Sequence, residues 1–161
     1  MEFSHALEHV LKFEGGLSED PRDPGGITKY GISLRAYPEL GADGIRNLTK
    51  DQASTIYWED YWNATRCEEL PQAFRLMVFD CAVNQGTGYA ARALQASIGA
   101  RIDGAIGPKT IQAAKNSLYH SALQKLALNR FLRYQRNPNW DIYGEGWMSR
   151  LLSVSLLTFQ N

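Results

Sequence analysis

The sequence predicts a mainly α-helical protein, a helical bundle with one small β element near its N-terminus. Apolar residues recur at helical spacing along most of the 161 residues, and strand-like alternation is nowhere sustained. Glycine, proline and aspartate are concentrated in residues 14–33, which favours turns and short extended pieces such as a small hairpin. The length suits a single domain over residues 1–161.

Local signals bound the helices of the first half. Residues 3–13 have the spacing of an amphipathic first helix. Thr49, with Gln52 three residues later, is a capping box that opens a second helix. Pro71 suits the first turn of a strongly apolar helix over residues 71–84. The first half should therefore be helical on both sides of the glycine-rich segment.

Glycine and proline also divide the second half. Gly86 and Gly88 break the chain before a helix over 89–98, which Gly99 can cap. Two further helices, one from Lys109 and one over about 118–136, follow a turn at 103–108. An amphipathic closing helix is predicted over 147–159.

Charge is balanced over the whole chain but not along it. Lys and Arg number 17, as do Asp and Glu, so the net charge gives no support for nucleic-acid binding. Residues 109–161 hold 7 of the basic and 2 of the acidic residues, which leaves 17 − 7 = 10 basic and 17 − 2 = 15 acidic residues in 1–108. Six of these basic residues either favour an anionic polymer or form a solvated helix face: Lys115, Lys125, Arg130, Arg133, Arg136 and Arg150.

The N-terminus lacks the features of an export signal. It has no basic region before an apolar stretch, and no segment approaches the roughly 18 apolar residues of a membrane span. We therefore expect synthesis in a cytoplasm, no stable membrane insertion and a monomer. Cys67 and Cys81 lie in apolar helical context, which favours buried free thiols.

Glu14 is the first candidate for chemistry. It falls near the middle of the apolar arc of the first helix, one turn beyond Val10, and Gly15-Gly16 ends that helix. A carboxyl group at the end of an apolar stripe is partly shielded from water, which favours the protonated form that a general acid needs. The alternative is a glutamate that extends into solvent from a helix end.

The segment that follows Glu14 can supply a second carboxyl group. Two prolines and three glycines in residues 20–32 predict a rigid, tight loop that can hold Asp23 and Thr28 opposite Glu14. Glycoside hydrolysis uses two carboxyl groups that flank the scissile bond. A nearby threonine hydroxyl can orient water. Asp20 and Asp23 could instead be turn residues that bond their own backbone.

Three stretches of this segment resemble the signature of glycoside hydrolase family 108: Phe13-Glu14-Gly15-Gly16, Asp20-Pro21-Arg22-Asp23-Pro24-Gly25-Gly26-Ile27-Thr28 and Tyr30-Gly31-Ile32-Ser33. That family comprises phage endolysins and related bacterial muramidases. The resemblance implies a lysozyme-like fold and cleavage of the N-acetylmuramic acid to N-acetylglucosamine β-1,4 bond of peptidoglycan, with Glu14 as the catalytic glutamate. The order Glu, eight residues, Asp, four residues, Thr is also similar to the triad of T-even phage lysozymes, in which the second gap is one residue longer.

The resemblance continues through the rest of the chain. Residues 79–86 resemble the central buried helix of the family, with Asn84 at its cleft end and Asp80 one turn earlier. Gln95, residues 103–110 and residues 143–147 resemble the peptidoglycan-binding region usually appended to it. The resemblance thus implies a catalytic signature region over 1–88 and a peptidoglycan-binding-like helical region over 89–161. Residues 103–108 are also good turn chemistry, so a purely structural role stays open.

Aromatic and polar side chains can bind the glycan, because pyranose rings stack on flat apolar faces. Tyr30 lies inside the signature loop and is the best aromatic candidate. Trp58 belongs to a helical aromatic stripe, which is more often core, so only one or two of its members should line a cleft. The predicted substrate-binding residues are Tyr30, Asn84, Asp80 and Trp58.

One competing motif points to zinc. His5-Ala6-Leu7-Glu8-His9 matches the H-x-x-E-H pattern of inverted zinc metallopeptidases. On a helical wheel, however, His5, Glu8 and His9 share the polar face with Lys12, whereas a catalytic zinc needs a shielded cleft and a third ligand. We therefore predict no metal and no cofactor.

The sequence thus predicts a muramidase that acts on peptidoglycan glycan strands. As a phage endolysin it would be made in the host cytoplasm and act in the periplasm or cell wall after release. Two alternatives stay open: a lytic transglycosylase, which attacks the same bond with a single glutamate, and a non-catalytic peptidoglycan-binding module.

Overall fold

The protein is described by a computed structural model that covers residues 1–19 and 26–160. Eight α-helices and one two-stranded antiparallel sheet form its regular structure within these ranges. The helices are α1 (Phe3–Glu14), α2 (Gly41–Arg46), α3 (Lys50–Tyr57), α4 (Gln72–Gln85), α5 (Thr87–Ser97), α6 (Pro108–Asn116), α7 (Tyr119–Gln135) and α8 (Trp140–Gln160), and the strands are β1 (Thr28–Lys29) and β2 (Ile32–Ser33). Short 3-10 helices cover Pro38–Leu40 and Cys67–Glu69, and π-helical turns continue α3 over Trp58–Asn63.

The apolar helix α4 lies at the centre of the bundle. It packs against α1, α5, α7 and α8. Its buried side chains point in every direction around the helix: Phe74, Leu76, Met77, Val78, Phe79, Asp80, Cys81 and Ala82. A helix that is buried all round needs partners on every side, and these four helices supply them. The predicted helical bundle with one small β element is confirmed.

The hydrophobic core runs through both halves of the chain. Ala6 and Phe79 of the first half belong to the same buried cluster as Leu94, Leu126 and Val154 of the second. The predicted boundary between residues 1–88 and 89–161 falls inside the first turn of α5, which begins at Thr87. The two regions therefore share one core.

The hairpin turns directly after β1. Lys29 pairs with Ile32, so Tyr30 and Gly31 form a two-residue loop. Both have positive φ, 51° and 76°, as a type I′ turn requires. Ser18 exchanges two backbone hydrogen bonds with Thr28, which ties the chain after α1 to the hairpin.

Two helices begin two or more residues earlier than predicted. Helix α8 starts at Trp140 instead of 147, because Gly144 is accommodated inside it: a Cβ there would lie 2.8 Å from the Trp140 ring. Helix α5 starts at Thr87, since only Gly86, with φ of 90°, breaks the chain and Gly88 is helical. Glycine lowers helix propensity, but tertiary packing overrides it at both positions.

Cys67 and Cys81 are free and fully buried, as predicted. Burial raises the pKa of the Cys67 thiol to about 12 and that of the Cys81 thiol to about 11. Both side chains are therefore neutral and unreactive near neutral pH. Among the described residues, no helix combines the length and the apolar character that crossing a membrane would require.

Candidate active site

Glu14 is the last residue of α1. The helix is anchored by its buried face, which includes Ala6, Leu7 and Val10, and it ends because Gly15 adopts a positive φ of 71°. The Glu14 side chain keeps 18% of its surface exposed. The carboxyl group is thus held by a rigid element and still reaches solvent.

The hairpin turn presses against this carboxyl group. A Cβ on Gly31 would lie 2.7 Å from Glu14 Oε2 and 2.5 Å from the Tyr57 hydroxyl, so only glycine allows the approach. Tyr57 donates its hydroxyl to the carbonyl of Tyr30 at 2.9 Å. Burial, and then the nearby Glu14 charge, raise the pKa of Tyr57, so it stays a neutral donor that fixes the turn.

Arg150 of α8 binds Glu14 from the opposite side. Its Nη1 lies 2.7 Å from Glu14 Oε1, and its Nε donates to Asp80 Oδ1 at 2.7 Å. The Arg150 side chain is only 6% exposed, and its guanidinium carbon Cζ lies 5.5 Å from the centroid of the Phe13 ring. The Glu14 carboxyl group is therefore ion-paired, which the apolar stripe alone did not predict.

Asp80 connects Arg150 to a second buried arginine. Asp80 and Arg130 are both fully buried and their side chains lie 2.5 Å apart at Oδ2 and Nη2. Burial, the largest single cause, lowers the pKa of Arg130, but the Asp80 carboxylate together with smaller contributions from Cys81 and Tyr134 raises it overall. Charges thus alternate along the buried ion-pair network, which consists of Glu14, Arg150, Asp80 and Arg130.

This geometry corrects two expectations from the sequence. Asp80 has no exposed surface and pairs with two arginines, so a direct bond to glycan, as predicted, does not fit its position. Arg130 and Arg150 are buried in ion pairs, so neither contributes to a solvated basic face. A carboxylate without exposed surface orients its partners, because it has no contact to offer a substrate.

One atom of the network has no partner. Arg150 Nη2 is buried and makes no hydrogen bond to any residue that the structure describes. An unsatisfied buried donor costs free energy, roughly 1–3 kcal/mol. This donor lies on the same guanidinium that holds Glu14, so within the described residues it is an unpaired hydrogen-bonding group next to the candidate carboxyl group.

The predicted partners of Glu14 are only partly described. Asp23 lies outside the described residues. Thr28 is half-buried in β1 and its hydroxyl donates to the carbonyl of Gly26 at 3.3 Å. The hairpin that carries Thr28 is the same one that touches Glu14 through Gly31.

Tyr30 lines a surface depression next to Glu14. The depression measures about 440 Å³ and is bordered by Leu11, Lys12 and Gly15 of the α1 end and by Lys50 and Glu8. Lys29 Nζ lies 5.6 Å from the Tyr30 ring centroid. Tyr30 therefore lies at the edge of an open concavity whose lining includes Gly15, the residue directly after Glu14.

Asn84 lies at the end of α4, one turn beyond Asp80. Its Oδ1 accepts a hydrogen bond from the Tyr134 hydroxyl at 2.5 Å, and Tyr134 stacks on Trp147 with centroids 5.3 Å apart. Asn84 lines a small cavity of about 170 Å³ together with Gln85, Tyr134 and Trp147. Asn84 is half-exposed. It lies one helical turn from Asp80, which pairs with Arg150, and Arg150 in turn binds Glu14.

Trp58 lies away from this cluster. It packs on Phe3 at 5.0 Å and on Trp62 at 6.4 Å. Phe3 begins α1 and Glu14 ends it, which separates them by roughly 16 Å along the helix. Trp58 is 40% exposed, so its surface is open but distant from the carboxyl group.

Gln95 organises the turn that resembled a peptidoglycan-binding motif. Its amide nitrogen donates to Asp103, Ala105 and Thr110, and its oxygen accepts from the backbone of Asp103 and Gly104. Gln95 is fully buried. Its hydrogen-bonding capacity is used inside the protein, which favours the structural interpretation of residues 103–108.

The histidine motif is divided between solvent and the protein interior. His5 and Glu8 are exposed, but His9 is 5% exposed and its Nε2 lies 3.5 Å from Ser153 Oγ of α8. The expected shared polar face is therefore divided, since α8 covers His9. Within residues 1–19 and 26–160, no group of three or more His, Cys, Asp or Glu side chains could hold a metal ion.

Sequence analysis missed three residues of this site. Arg150 is 136 residues from Glu14 in the sequence, and Tyr57 is 27 residues from Tyr30, whose carbonyl it binds. No local pattern indicates contacts over such separations. Gly31 carried a signal, because a glycine at the centre of a two-residue hairpin loop suits the positive φ that a type I′ turn requires. A buried Asp80 in an otherwise apolar helix was a second signal, since such a charge requires an opposite one.

Fold and site together define a lysozyme-like protein: a helical bundle with a small hairpin, and a glutamate held at the end of its first helix. Comparison with known proteins supports this class. The family model described as glycosyl hydrolase 108 matches residues 7–86. The solved structure titled "Structure of Brucella abortus SagA" superposes with a TM-score of 0.88 and 31% sequence identity, covering 98% of this chain and 94% of that chain. Among curated proteins nothing matches.

The chain therefore belongs to the glycosyl hydrolase 108 family. The predicted lysozyme-like fold is confirmed. Membership in this family places the chain among glycoside hydrolases that degrade peptidoglycan. The family match ends at Gly86, so the peptidoglycan-binding role predicted for residues 89–161 stays a prediction.

Proposed function

We propose that this protein is an N-acetylmuramidase that hydrolyses the β-1,4 bond between N-acetylmuramic acid and N-acetylglucosamine. The observation that carries the proposal is the position of Glu14. Its carboxyl group is fixed by Arg150 and the Gly31 turn, yet it keeps 18% exposure beside an open depression. A positioned, solvent-accessible carboxyl group is what proton delivery to a leaving oxygen requires.

Arg150 and Asp80 are proposed to position Glu14 without touching the substrate. A guanidinium next to a carboxyl group favours its ionised form, which opposes a general acid. Arg150 also binds Asp80, so its charge is divided between two carboxylates. When Glu14 gains a proton, Arg150 keeps a charged partner in Asp80, and the buried cation is not left alone.

Asp23 and Thr28 are proposed to act on the other side of the scissile bond. Support comes from their order after Glu14 and from the hairpin, which brings the Thr28 strand against the Glu14 end of α1. Asp23 would stabilise the positive charge that develops on the sugar or activate water, the roles of the second carboxyl group in glycosidases. Thr28 would orient that water.

Tyr30 and Asn84 are proposed to bind the glycan. Tyr30 borders the depression next to Gly15, where a sugar ring could stack on its face. Asn84 is half-exposed, and its amide nitrogen makes no hydrogen bond within the described residues, so it can donate to a hydroxyl or an acetamide. Trp58 packs against Phe3 at the start of α1, far from Glu14. Its role in glycan binding stays a prediction from the sequence.

We propose an endolysin that works as a monomer without a cofactor, is made in the host bacterial cytoplasm and reaches the wall after release. The family match supports the peptidoglycan-degrading activity on which this role depends.

Mass spectrometry of the products from purified sacculi tests the proposal. The wild-type protein should release fragments that end in reducing N-acetylmuramic acid, and Glu14→Gln should reduce their rate at least about 100-fold, because general acid catalysis contributes that much. Glu59→Gln is the matched control, since Glu59 is exposed on the π-helical turns. It should retain full activity.

Three other results would contradict the proposal. Anhydro ends in place of reducing ends would make the protein a lytic transglycosylase. Fragments formed at an unchanged rate by Glu14→Gln would remove Glu14 from the chemistry. Binding to sacculi without any product would favour the non-catalytic module.

A further inference from the structure

A groove lies along the C-terminal half of α7. It measures about 470 Å³ and is lined by Tyr89 of α5, by Asn129, Leu132, Arg133 and Arg136 of α7, and by the Asn137–Pro138 turn. We call it the α7 groove. Two of its lining residues are arginines and none is acidic, so the groove is a positively charged concavity.

The arginines of the α7 groove have no anionic partner in the described part of the chain. Arg133 is exposed and its guanidinium lies 4.1 Å from the centroid of the Tyr89 ring. Tyr89 is itself fixed, because its hydroxyl donates to the carbonyl of Asn129 at 2.7 Å. A guanidinium that rests on an aromatic face keeps its N–H groups at the edge free, which pre-organises it for a planar anion.

The groove continues toward the Glu14 site. Arg133 and Asn137 also line the smaller cavity that contains Asn84 and Trp147. Asn84 is one turn from Asp80 on α4, and Trp147 is one turn from Arg150 on α8. The smaller cavity therefore lies roughly 5 Å along the helices from the Asp80–Arg150 pair that holds Glu14.

The chemistry of peptidoglycan suggests what binds there. Its glycan hydroxyls and acetamides are neutral, whereas its stem peptides carry free carboxylates on acidic residues and at their C-termini. A stem of three to five residues spans roughly 10–17 Å when extended, which exceeds the roughly 5 Å along the helices between the Asp80–Arg150 pair and the smaller cavity. Arginine pairs with carboxylates through two parallel hydrogen bonds.

We propose that the α7 groove binds a carboxylate of the stem peptide, with Arg133 as the main contact and Arg136 as the second. This inference rests on the proposed muramidase function, since it assumes that the glycan lies beside Glu14. It makes peptide-substituted glycan the preferred substrate. Arg133 and Arg136 then determine substrate preference without taking part in bond cleavage.

The test compares two substrates made from one preparation. Sacculi are used intact, or after an amidase has removed the stem peptides to leave naked glycan. With the double variant Arg133→Gln/Arg136→Gln, the concentration of intact sacculi that gives half-maximal rate should rise about 10-fold, the effect of losing a charge-assisted pair. The maximal rate and the cleavage of naked glycan should stay unchanged.

A charge-matched control separates this groove from general attraction. Arg35→Gln/Arg101→Gln also removes two positive charges from exposed positions, one after β2 and one before α6, outside the α7 groove. It should behave as the wild-type protein on both substrates. An equal loss in the control would overturn the proposal, because net charge would then explain the effect.

Calorimetric titration with the released stem peptide gives a readout that does not depend on cleavage. The peptide should bind the wild-type protein and bind the Arg133/Arg136 double variant about 10-fold more weakly. Equal binding by both proteins, or an equal effect of the double variant on both substrates, overturns the groove proposal. If the wild-type protein cleaves neither substrate, the muramidase proposal fails, and this titration alone decides the groove.

Discussion

Arg130 and Arg133 lie one turn apart on α7, yet they occupy opposite environments. Arg130 is fully buried and bound to Asp80, Gln85 and Tyr134. Arg133 is exposed, and within the described residues its guanidinium rests on the Tyr89 ring without an anionic partner. The first arginine completes the buried ion-pair network, and its charge is compensated there by Asp80. The second is held in place with its hydrogen-bonding groups free.

This difference shows what a buried and an exposed charge can each do. A buried ion pair is costly to break, because the remaining partner is left without compensation in a medium of low dielectric. An exposed arginine contributes little to folding but can bind a ligand. The buried ion-pair network therefore positions Glu14, and the α7 groove is free for recognition.

Neutral replacement of each arginine gives the largest expected contrast. Arg130→Met should lower the free energy of unfolding by about 3–5 kcal/mol, because Asp80 loses its fully buried partner. Arg133→Met should change it by less than about 0.5 kcal/mol, as at an exposed position. Urea unfolding of both variants, followed by circular dichroism, measures the difference. Equal stability of the two would show that the network does not stabilise the fold.

A smaller effect is expected where the hairpin touches the network. Gly31→Ala should lower the free energy of unfolding by about 1–3 kcal/mol, because its φ is 76° and its Cβ would displace the Tyr57 hydroxyl and Glu14 Oε2. Activity on sacculi should fall at least about 10-fold, since Glu14 is moved from its position against Arg150.

Gly41 is the matched control for this change. Its φ is 64°, but a Cβ there would meet no atom within 4 Å. Gly41→Ala should therefore lower the free energy of unfolding through backbone strain alone. Its activity per folded molecule should equal that of the wild-type protein. If both alanine variants lose activity equally, strain explains the loss, and the close approach of Gly31 to Glu14 has no catalytic consequence.

The smallest expected effect is a pH dependence of the folding stability, caused by His9 near Asp80 of the buried ion-pair network. Burial is the main cause that lowers the pKa of His9 below its usual 6.5, and the Asp80 charge only partly opposes it. A lowered pKa means that the unfolded chain binds the proton more tightly, so this contribution to stability is present above pH 6.5 and lost as pH falls below it.

Thermal unfolding between pH 8 and pH 5 measures this contribution. His9→Gln should show a weaker decrease in Tm toward low pH than the wild-type protein. His5→Gln, which changes an exposed histidine on the same helix, should follow the wild-type curve. A His9→Gln curve parallel to the wild type would exclude His9 as the group that titrates.

Local patterns determined much of the fold from the sequence. The capping box of Thr49 and Gln52 forms as predicted, with both reciprocal hydrogen bonds present. The first helix ends at Glu14 beside Gly15, and the predicted hairpin follows. These features depend on residues within four positions of one another, so side-chain spacing and backbone propensity are sufficient to predict them.

Only the tertiary structure decided which charges meet. Arg150 reaches Glu14 across 136 residues, and Asp80 is separated from Arg130 by 50. In the sequence Arg130, Arg133 and Arg150 were equivalent basic residues, and Asp80 was a predicted glycan ligand. Burial distinguished them, because the packing of α7 and α8 against α4 removes water from some of these side chains and leaves it around others. That choice depends on long-range packing, which has no local signature in the chain.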